Sequence, residues 1–360
     1  MATIGPTLEK PEDLQRAMEI GARWFRLPCG YRQRPHLENA RAVRAASSRC
    51  GIPVQLLLDL PSSRPRTGAM KELRLETGDH VLFWDPEITA TPPIQNGTFP
   101  VPLPGLTELQ AKLNPNQGMW FCDGRIRLLV DELRPDSVLA HMVEGTVPLK
   151  SSNALFLPDS PSPFTTVTSQ DRTLLNALMA EQLIPDWLAL SLIASPEDVR
   201  DARREATQLF GRQVMMMAKF ETLAAVGAAE EIIAESDGIM VARGDLGLAV
   251  GYVRLPEVQE QLVAAARRAG KVSVVATQVM EVFAETGLPQ RAELSDLSLI
   301  ARQQAGVVML GKETVYSPRP LECIRLAHEI LAYETRRFSA NEPREEHAAP
   351  NTGPSPCHGT

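Results

Sequence analysis

At 360 residues with 44% hydrophobic content, the chain can bury a core the size of a barrel of about 250 residues and still carry one inserted domain. A net charge of −7 argues against a nucleic-acid surface or a membrane-binding face, no apolar run approaches the ~20 residues of a membrane span, and the opening MATIGPTLEKPEDLQ lacks a signal-peptide core. Five scattered cysteines, Cys29, Cys50, Cys122, Cys323 and Cys357, show neither metal-ligand nor C-x-x-C spacing and read as reduced thiols of a cytoplasmic protein.

Thr3-Ile4-Gly5-Pro6 leaves room for only a very short first strand. Residues 10–21 form an amphipathic helix with Pro11 placed early, where a missing N–H costs little. Residues 24–27 are the next apolar run, 36–48 a helix, and 54–58 a β-run that Asp59 terminates. This β-α-β-α-β order with short connections predicts a parallel sheet.

From 69 to 157 the helical period disappears. Short alternating runs such as 81–84 and 126–130 are separated by Gly, Pro, Asp and Asn, and Asp123-Gly124 is a hairpin signal. After Pro158 the alternation resumes: helix 169–181, strand 187–193, helix 196–209, strand 213–220, a helix, then strand 238–243. Helix 255–268, strand 272–278, helix 292–303, strand 307–310 and helix 319–336 follow. Three strands before the insertion and five after it predict a (β/α)8 TIM barrel, residues 1–68 and 158–338, with a small mostly-β domain, 69–157, inserted after strand 3. The Pro-, Gly- and Asn-rich residues 339–360 are expected to be a disordered tail.

Residues 215–247 carry the chemistry. Lys219 and Glu221, two apart on a strand, point the same way, and Asp245 lies one strand-helix-strand repeat later, at the carboxyl end where barrel active sites lie. Two carboxylates offer hard oxygen ligands suited to Mg²⁺, the lysine a point charge, and the Gly244-Asp245 turn backbone N–H donors for an anion. That set suits a phosphate, a carboxylate or a developing enolate. The alternative is that these charges decorate loops.

The motifs resemble the pyruvate kinase family. Residues 236–247, SDGIMVARGDLG, match its metal-binding segment, Lys219-Phe220-Glu221 its K-x-E, and Ala276-Thr277-Gln278 its A-T-Q. Pro289-Gln290-Arg291-Ala292-Glu293 resembles its P-T-R-A-E, Thr3-Ile4-Gly5-Pro6 its T-I-G-P, and Arg66-Thr67-Gly68 the R-T-G before its mobile lid. The resemblance implies phosphoryl transfer from phosphoenolpyruvate to ADP, then protonation of enolpyruvate. It implies that Glu221 and Asp245 hold Mg²⁺, with Mn²⁺ as a substitute, and that Lys219 stabilises the transferring phosphoryl group. Arg26 would contact the phosphate, Gly244 and Asp245 would seat the substrate carboxylate, Thr277 would lie by the protonated carbon, and Arg66 is the nucleotide-binding candidate.

The chain also departs from the family pattern. Where the family's R-L-N-F-S-H-G supplies ligands for K⁺, this chain has Arg26-Leu27-Pro28-Cys29-Gly30-Tyr31-Arg32, and Asp59 is followed by Leu60 rather than Thr. Arg64 replaces an acidic residue and, with Asp59, could do the electrostatic work of K⁺, so K⁺ is expected not to be required. The lid lysine of G-S-K-K-G is missing, and Lys150 could serve only if its loop shifts register. L-S-G-E-T-A becomes Leu310-Gly311-Lys312-Glu313-Thr314-Val315. The family's C-terminal domain is not matched, so the usual effector control is expected to be missing and any homo-oligomer to use an altered interface.

Three functions fit: a K⁺-independent phosphotransferase; a lyase or a transfer to another acceptor, acting on phosphoenolpyruvate or a 2-oxo acid; or a silent paralogue. Each implies small-molecule ligands, with no nucleic acid or membrane as partner. Met215-Met216-Met217 and Cys29 read as packing residues, and His36, His80, His141 and His328 have no ligand spacing.

Overall fold

Eight parallel strands close around an apolar centre. In the computed structural model, which describes residues 1–30, 35–91, 97–111, 113–158 and 165–341, they are β1 (Ala2–Thr3), β2 (Trp24–Pro28) and β3 (Gln55–Leu60) before the insertion. The insertion carries β4 (His80–Trp84), β5 (Thr98–Pro102), β6 (Gly118–Phe121), β7 (Ile126–Arg134) and β8 (Ser137–Gly145). The barrel then resumes with β9 (Trp187–Leu190), β10 (Met215–Phe220), β11 (Gly238–Ala242), β12 (Val272–Ala276) and β13 (Val307–Met309). Their order is β1-β2-β3-β9-β10-β11-β12-β13. Closure is made by backbone bonds, Thr3 N–H to the Leu310 carbonyl at 3.1 Å and Leu310 N–H to the Met1 carbonyl at 2.9 Å. The two-residue β1 is further held by Thr314, whose hydroxyl accepts from the Thr3 amide at 3.0 Å and donates to its carbonyl at 2.9 Å.

Strands buried on both faces explain the continuous apolar runs. One face of the barrel strands packs inward as Leu57, Trp187, Ala189, Met217, Met240, Val274 and Met309, while the other meets the helices. Met216 and Met217 are thus packing residues, and Met215 is exposed. The helices begin where the chain supplies caps: Thr168 with Asp171 before Ser169–Ala180, and Ser195 with Asp198 before Pro196–Phe210.

The insertion has its own core, with Phe83 stacked on Phe121 at 5.7 Å, under a mixed sheet ordered β5-β4-β8-β7-β6. The hairpin expected at Asp123-Gly124 joins β6 to β7. Its tip reaches the barrel: Gly124 has φ +75°, and a Cβ there would lie 2.6 Å from Leu248. Antiparallel bridges Arg66 to Ala154 and Leu73 to Leu149 tie the outgoing and returning segments together.

Several boundaries differ from expectation. β3 is not ended by Asp59 but runs through it to Leu60, because cations compensate the carboxylate inside the strand. The Gly244-Asp245 turn is the start of a helix, Arg243–Val250. The helix between β10 and β11 is two, Leu223–Gly227 and Ala229–Glu235, and β12 stops at Ala276 because Thr277 and Gln278 take positive φ, 81° and 53°. Helices Glu281–Thr286 and Lys312–Val315 are too short for periodicity to reveal. The last helix, Pro320–Asn341, enters the segment expected to be tail, and residues 342–360, like Tyr31 and Arg32, lie outside the described residues. Among the described residues no helix is long and apolar enough to cross a membrane.

Candidate active site

At the carboxyl ends of β3, β9 and β10 three polar groups meet around one ammonium. Lys219 Nζ lies 3.0 Å from Asp59 Oδ1, 3.1 Å from Glu221 Oε1 and 2.7 Å from the Ser191 hydroxyl. The other oxygen of Asp59 accepts from Arg26, with Nε and Nη2 each at 2.7 Å. Arg26 also reaches Thr3 Oγ1 at 3.4 Å, and Glu221 Oε2 accepts the Leu192 amide at 2.7 Å. Leu192 has φ 55°, a strained conformation that aims its N–H at the carboxylate. Lys219, Glu221 and Asp59 are 7%, 4% and 4% exposed, so these charges depend on one another.

Burial and charge compete at each group. Burial favours a neutral Lys219, but Asp59 and Glu221 outweigh it and raise its pKa, so the ammonium is kept. Burial likewise pushes Asp59 up, yet Lys219 and Arg26 hold it below the usual carboxylate range. At Glu221 burial wins: with Asp245 and Asp59 adding repulsion, its pKa is raised despite Lys219 and the Leu192 amide. Glu221 is therefore a carboxylate with unmet demand for positive charge.

Asp245, in the first turn of helix Arg243–Val250, is gripped by Arg64, with Nη1 to Oδ2 at 2.8 Å and Nη2 to Oδ1 at 3.1 Å. Beside it Gly244 faces Thr277: a Cβ on Gly244 would lie 3.4 Å from Thr277 Cγ2 and 4.0 Å from its hydroxyl. The consecutive positive φ angles at Thr277 and Gln278 are held by Arg243. Its guanidinium donates to the carbonyls of Thr277 at 2.7 and 3.0 Å and Gln278 at 3.2 Å, and pairs with Asp296 at 2.8 Å. Arg243→Lys, which keeps the charge but loses the fork, is expected to lower kcat about tenfold to 10²-fold with little change in substrate KM, measured by steady-state kinetics.

The expected site residues converge. Arg26, Asp59, Lys219, Glu221, Gly244, Asp245 and Thr277 line a cavity of about 310 Å³. Arg26, Asp59, Lys219, Glu221 and Asp245 also line a smaller one of about 170 Å³, which Arg64 and Arg66 border. With every group ionised, that smaller cavity has four cations (Arg26, Arg64, Arg66, Lys219) against three carboxylates (Asp59, Glu221, Asp245), an excess of one positive charge. It suits an anion.

Among the described residues no three His, Cys, Asp or Glu are grouped to hold a metal by themselves. Glu221 and Asp245 nevertheless fit a Mg²⁺-like ion, because a buried carboxylate and a partly exposed one that repel each other beside an anion site are the donor set such an ion shares with a substrate.

Other expectations land differently. Lys150 pairs with Glu72, 2.9 Å away. Arg66 donates to the Ser152 carbonyl at 3.0 Å and borders a cavity of about 740 Å³ between insertion and barrel, lined also by Trp120, Phe156, Arg125 and Lys312. Sequence reasoning gave no role to Ser191, Arg243 or Glu313. Glu313 is buried and accepts the amides of Val279, Met280 and Gly311 at 3.1, 2.9 and 2.7 Å. A hydroxyl at the carboxyl end of an apolar strand was the available signal for Ser191.

The family model "Pyruvate kinase, barrel domain" matches residues 1–324. The chain is 34% identical over 334 residues to a pyruvate kinase of Methylorubrum extorquens, covering 92% of this chain and 67% of that protein. It is 30% identical over 362 residues to a pyruvate kinase of Agrobacterium vitis, covering 99% and 73%. A crystal structure of a pyruvate kinase from Cryptosporidium parvum superposes with a TM-score of 0.80 at 24% identity, over 92% of this chain and 68% of that one, a likeness of fold.

Proposed function

The chain belongs to the pyruvate kinase family, and from that premise we propose that it transfers the phosphoryl group of phosphoenolpyruvate to ADP, giving enolpyruvate, which is then protonated to pyruvate. The observation that carries the reading is the buried Lys219, kept protonated by Asp59 and Glu221 and placed next to Arg26 at the floor of a net-positive cavity. In this transfer the bond from phosphorus to the enol oxygen breaks as one to an ADP phosphate oxygen forms. Catalysis is mostly positioning and charge neutralisation.

Glu221 and Asp245 would hold Mg²⁺ or Mn²⁺, which supplies charge neutralisation at the enolate and phosphoryl oxygens when bound. Arg26 and Lys219 bind the phosphoryl oxygens, and Asp59 orients both cations at once. The first amides of helix Arg243–Val250, at Gly244 and Asp245, receive the substrate carboxylate, where the positive end of the helix dipole favours it. The Thr277 hydroxyl, held by the turn that Arg243 clamps, faces the carbon to be protonated.

Pro28, Gly30 and Leu60 carry no side-chain oxygen for a K⁺ ion, and Arg64 supplies fixed positive charge near Asp59 instead. Turnover is therefore expected without K⁺. The test is ³¹P NMR of phosphoenolpyruvate, ADP and Mg²⁺ in tetramethylammonium buffer, with Glu221→Ala as control. ATP and pyruvate should form only with the intact protein, and added K⁺ should not raise the rate; stimulation by K⁺ would overturn the Arg64 reading.

A second reading, a lyase reaction or transfer to another acceptor, draws on Lys150 being engaged with Glu72 rather than with the cavity. Absence of Mg²⁺-dependent ADP binding in a titration would favour it. Either way the protein acts on small molecules, and we place it in the cytoplasm.

A further inference from the structure

Arg64 stands where the outgoing segment of the insertion passes over the barrel mouth, and it is held from three sides. Its Nη atoms take both oxygens of Asp245 at 2.8 and 3.1 Å, its Nε donates to the Leu155 carbonyl on the returning segment, and its guanidinium lies 5.8 Å over the Phe156 ring. A divalent ion would need direct contact with an Asp245 oxygen at about 2.0–2.1 Å, and there it would stand close to the guanidinium that both oxygens hold, cation beside cation. A guanidinium does not deprotonate near neutral pH, so it cannot relieve that repulsion by losing charge. Moving away relieves it.

The small cavity next to Asp245 offers it a destination. Arg64 borders that space together with Arg26 and Lys219, and a planar fork binds phosphate or carboxylate oxygens as readily as it binds Asp245. We propose that Arg64 is an exchangeable counter-cation: it holds Asp245 while no divalent ion is bound and passes to the anionic substrate when the ion arrives. The inference rests on the reading of Asp245 as a divalent-ion ligand. Its consequence is cooperativity. The ion frees Arg64 for the anion, the anion draws Arg64 off Asp245, and each strengthens the other by the same factor. If Arg64 merely tied the insertion to the barrel, its removal would leave that coupling unchanged.

The experiment measures Mn²⁺ binding by the electron paramagnetic resonance signal of the free ion, with and without oxalate, a dianion of two adjacent carboxylates. Wild type is compared with Arg64→Met, which keeps the stem against Phe156, and Arg64→Lys, which keeps a charge without the fork. In wild type, oxalate should tighten Mn²⁺ binding by about tenfold or more. Arg64→Met should bind Mn²⁺ alone about tenfold tighter than wild type and gain much less from oxalate, with Arg64→Lys between them. Unchanged or weaker Mn²⁺ binding by Arg64→Met in the absence of oxalate, or an undiminished oxalate effect, would overturn the proposal while leaving the metal reading intact. No Mn²⁺ binding by any of the proteins, with or without oxalate, would sink both. Circular dichroism melting of each variant confirms that folded protein is being compared.

Discussion

Replacing Lys219 by methionine is expected to lower turnover by about 10³-fold, because the charge proposed to stand beside the transferring phosphoryl group disappears from a buried site. The same change should destabilise the fold by about 3–5 kcal/mol near neutral pH, the usual consequence of removing one partner from a buried ionic cluster. Asp59 still has Arg26. Glu221 keeps only the Leu192 amide against burial and the neighbouring Asp245, so its pKa, already raised in the wild type, rises further. The sign of the pH dependence follows. A carboxyl whose folded pKa lies above its unfolded value contributes stability at low pH that is lost as pH rises through the folded value. Thermal melts should therefore show the deficit of Lys219→Met shrinking on acidification. Adding Glu221→Gln should restore the melting temperature but not the activity. A single variant with near wild-type kcat would remove Lys219 from the mechanism.

Asp59→Asn is expected to cost about 10²-fold in kcat and to move the alkaline limb of the pH profile downward. Asp59 is the largest influence raising the Lys219 pKa against burial, and it accepts from Arg26 and Lys219 at 2.7 and 3.0 Å. An amide leaves Arg26 and Lys219 facing each other with Glu221 as the remaining carboxylate against Lys219, and burial, aided by Arg26, then draws the Lys219 pKa down. In wild type the raised lysine pKa gives stability that is complete below the unfolded value of about 10.4 and is lost only as pH climbs through the folded one. In the variant that loss should begin at lower pH. At the acid end the order reverses: the depressed pKa of Asp59 gives stability present above its unfolded value of about 3.9, and the variant should lose that part of the acid transition. Kinetics and melting curves over about pH 2–12 would test both limbs, and an unchanged alkaline limb would sever Lys219 protonation from turnover.

The barrel was legible in the letters because its pattern is local. Apolar runs that recur with amphipathic spans between them carry the strand count, and even the two-residue first strand is announced by Thr3-Ile4-Gly5-Pro6. The insertion is visible as a loss of helical period, and the chemistry as Lys219-Phe220-Glu221 and the approach to Asp245. Short pieces escaped for a physical reason: helices Glu281–Thr286 and Lys312–Val315 span too few turns for a period to emerge, and helix Arg243–Val250 has in its first turn the glycine, Gly244, that suggested a turn. Asp59 was misjudged as a strand end because its partners, Arg26 and Lys219, stand 33 and 160 residues away.

The same reasoning divides the site. Residue identity by itself determined which groups carry charge and which apolar runs lead to them, and the resemblance to the family implied that a cation ligand set is replaced by Pro28, Gly30, Leu60 and Arg64. Only the tertiary structure decided who neutralises whom. Arg64 was expected, with Asp59, to stand in for K⁺, and the fold shows that its fork grips Asp245, 181 residues away, while Lys150 pairs with Glu72. Coulombic and hydrogen-bond energies depend on distance through space and on burial, and neither quantity exists until the chain has closed its barrel.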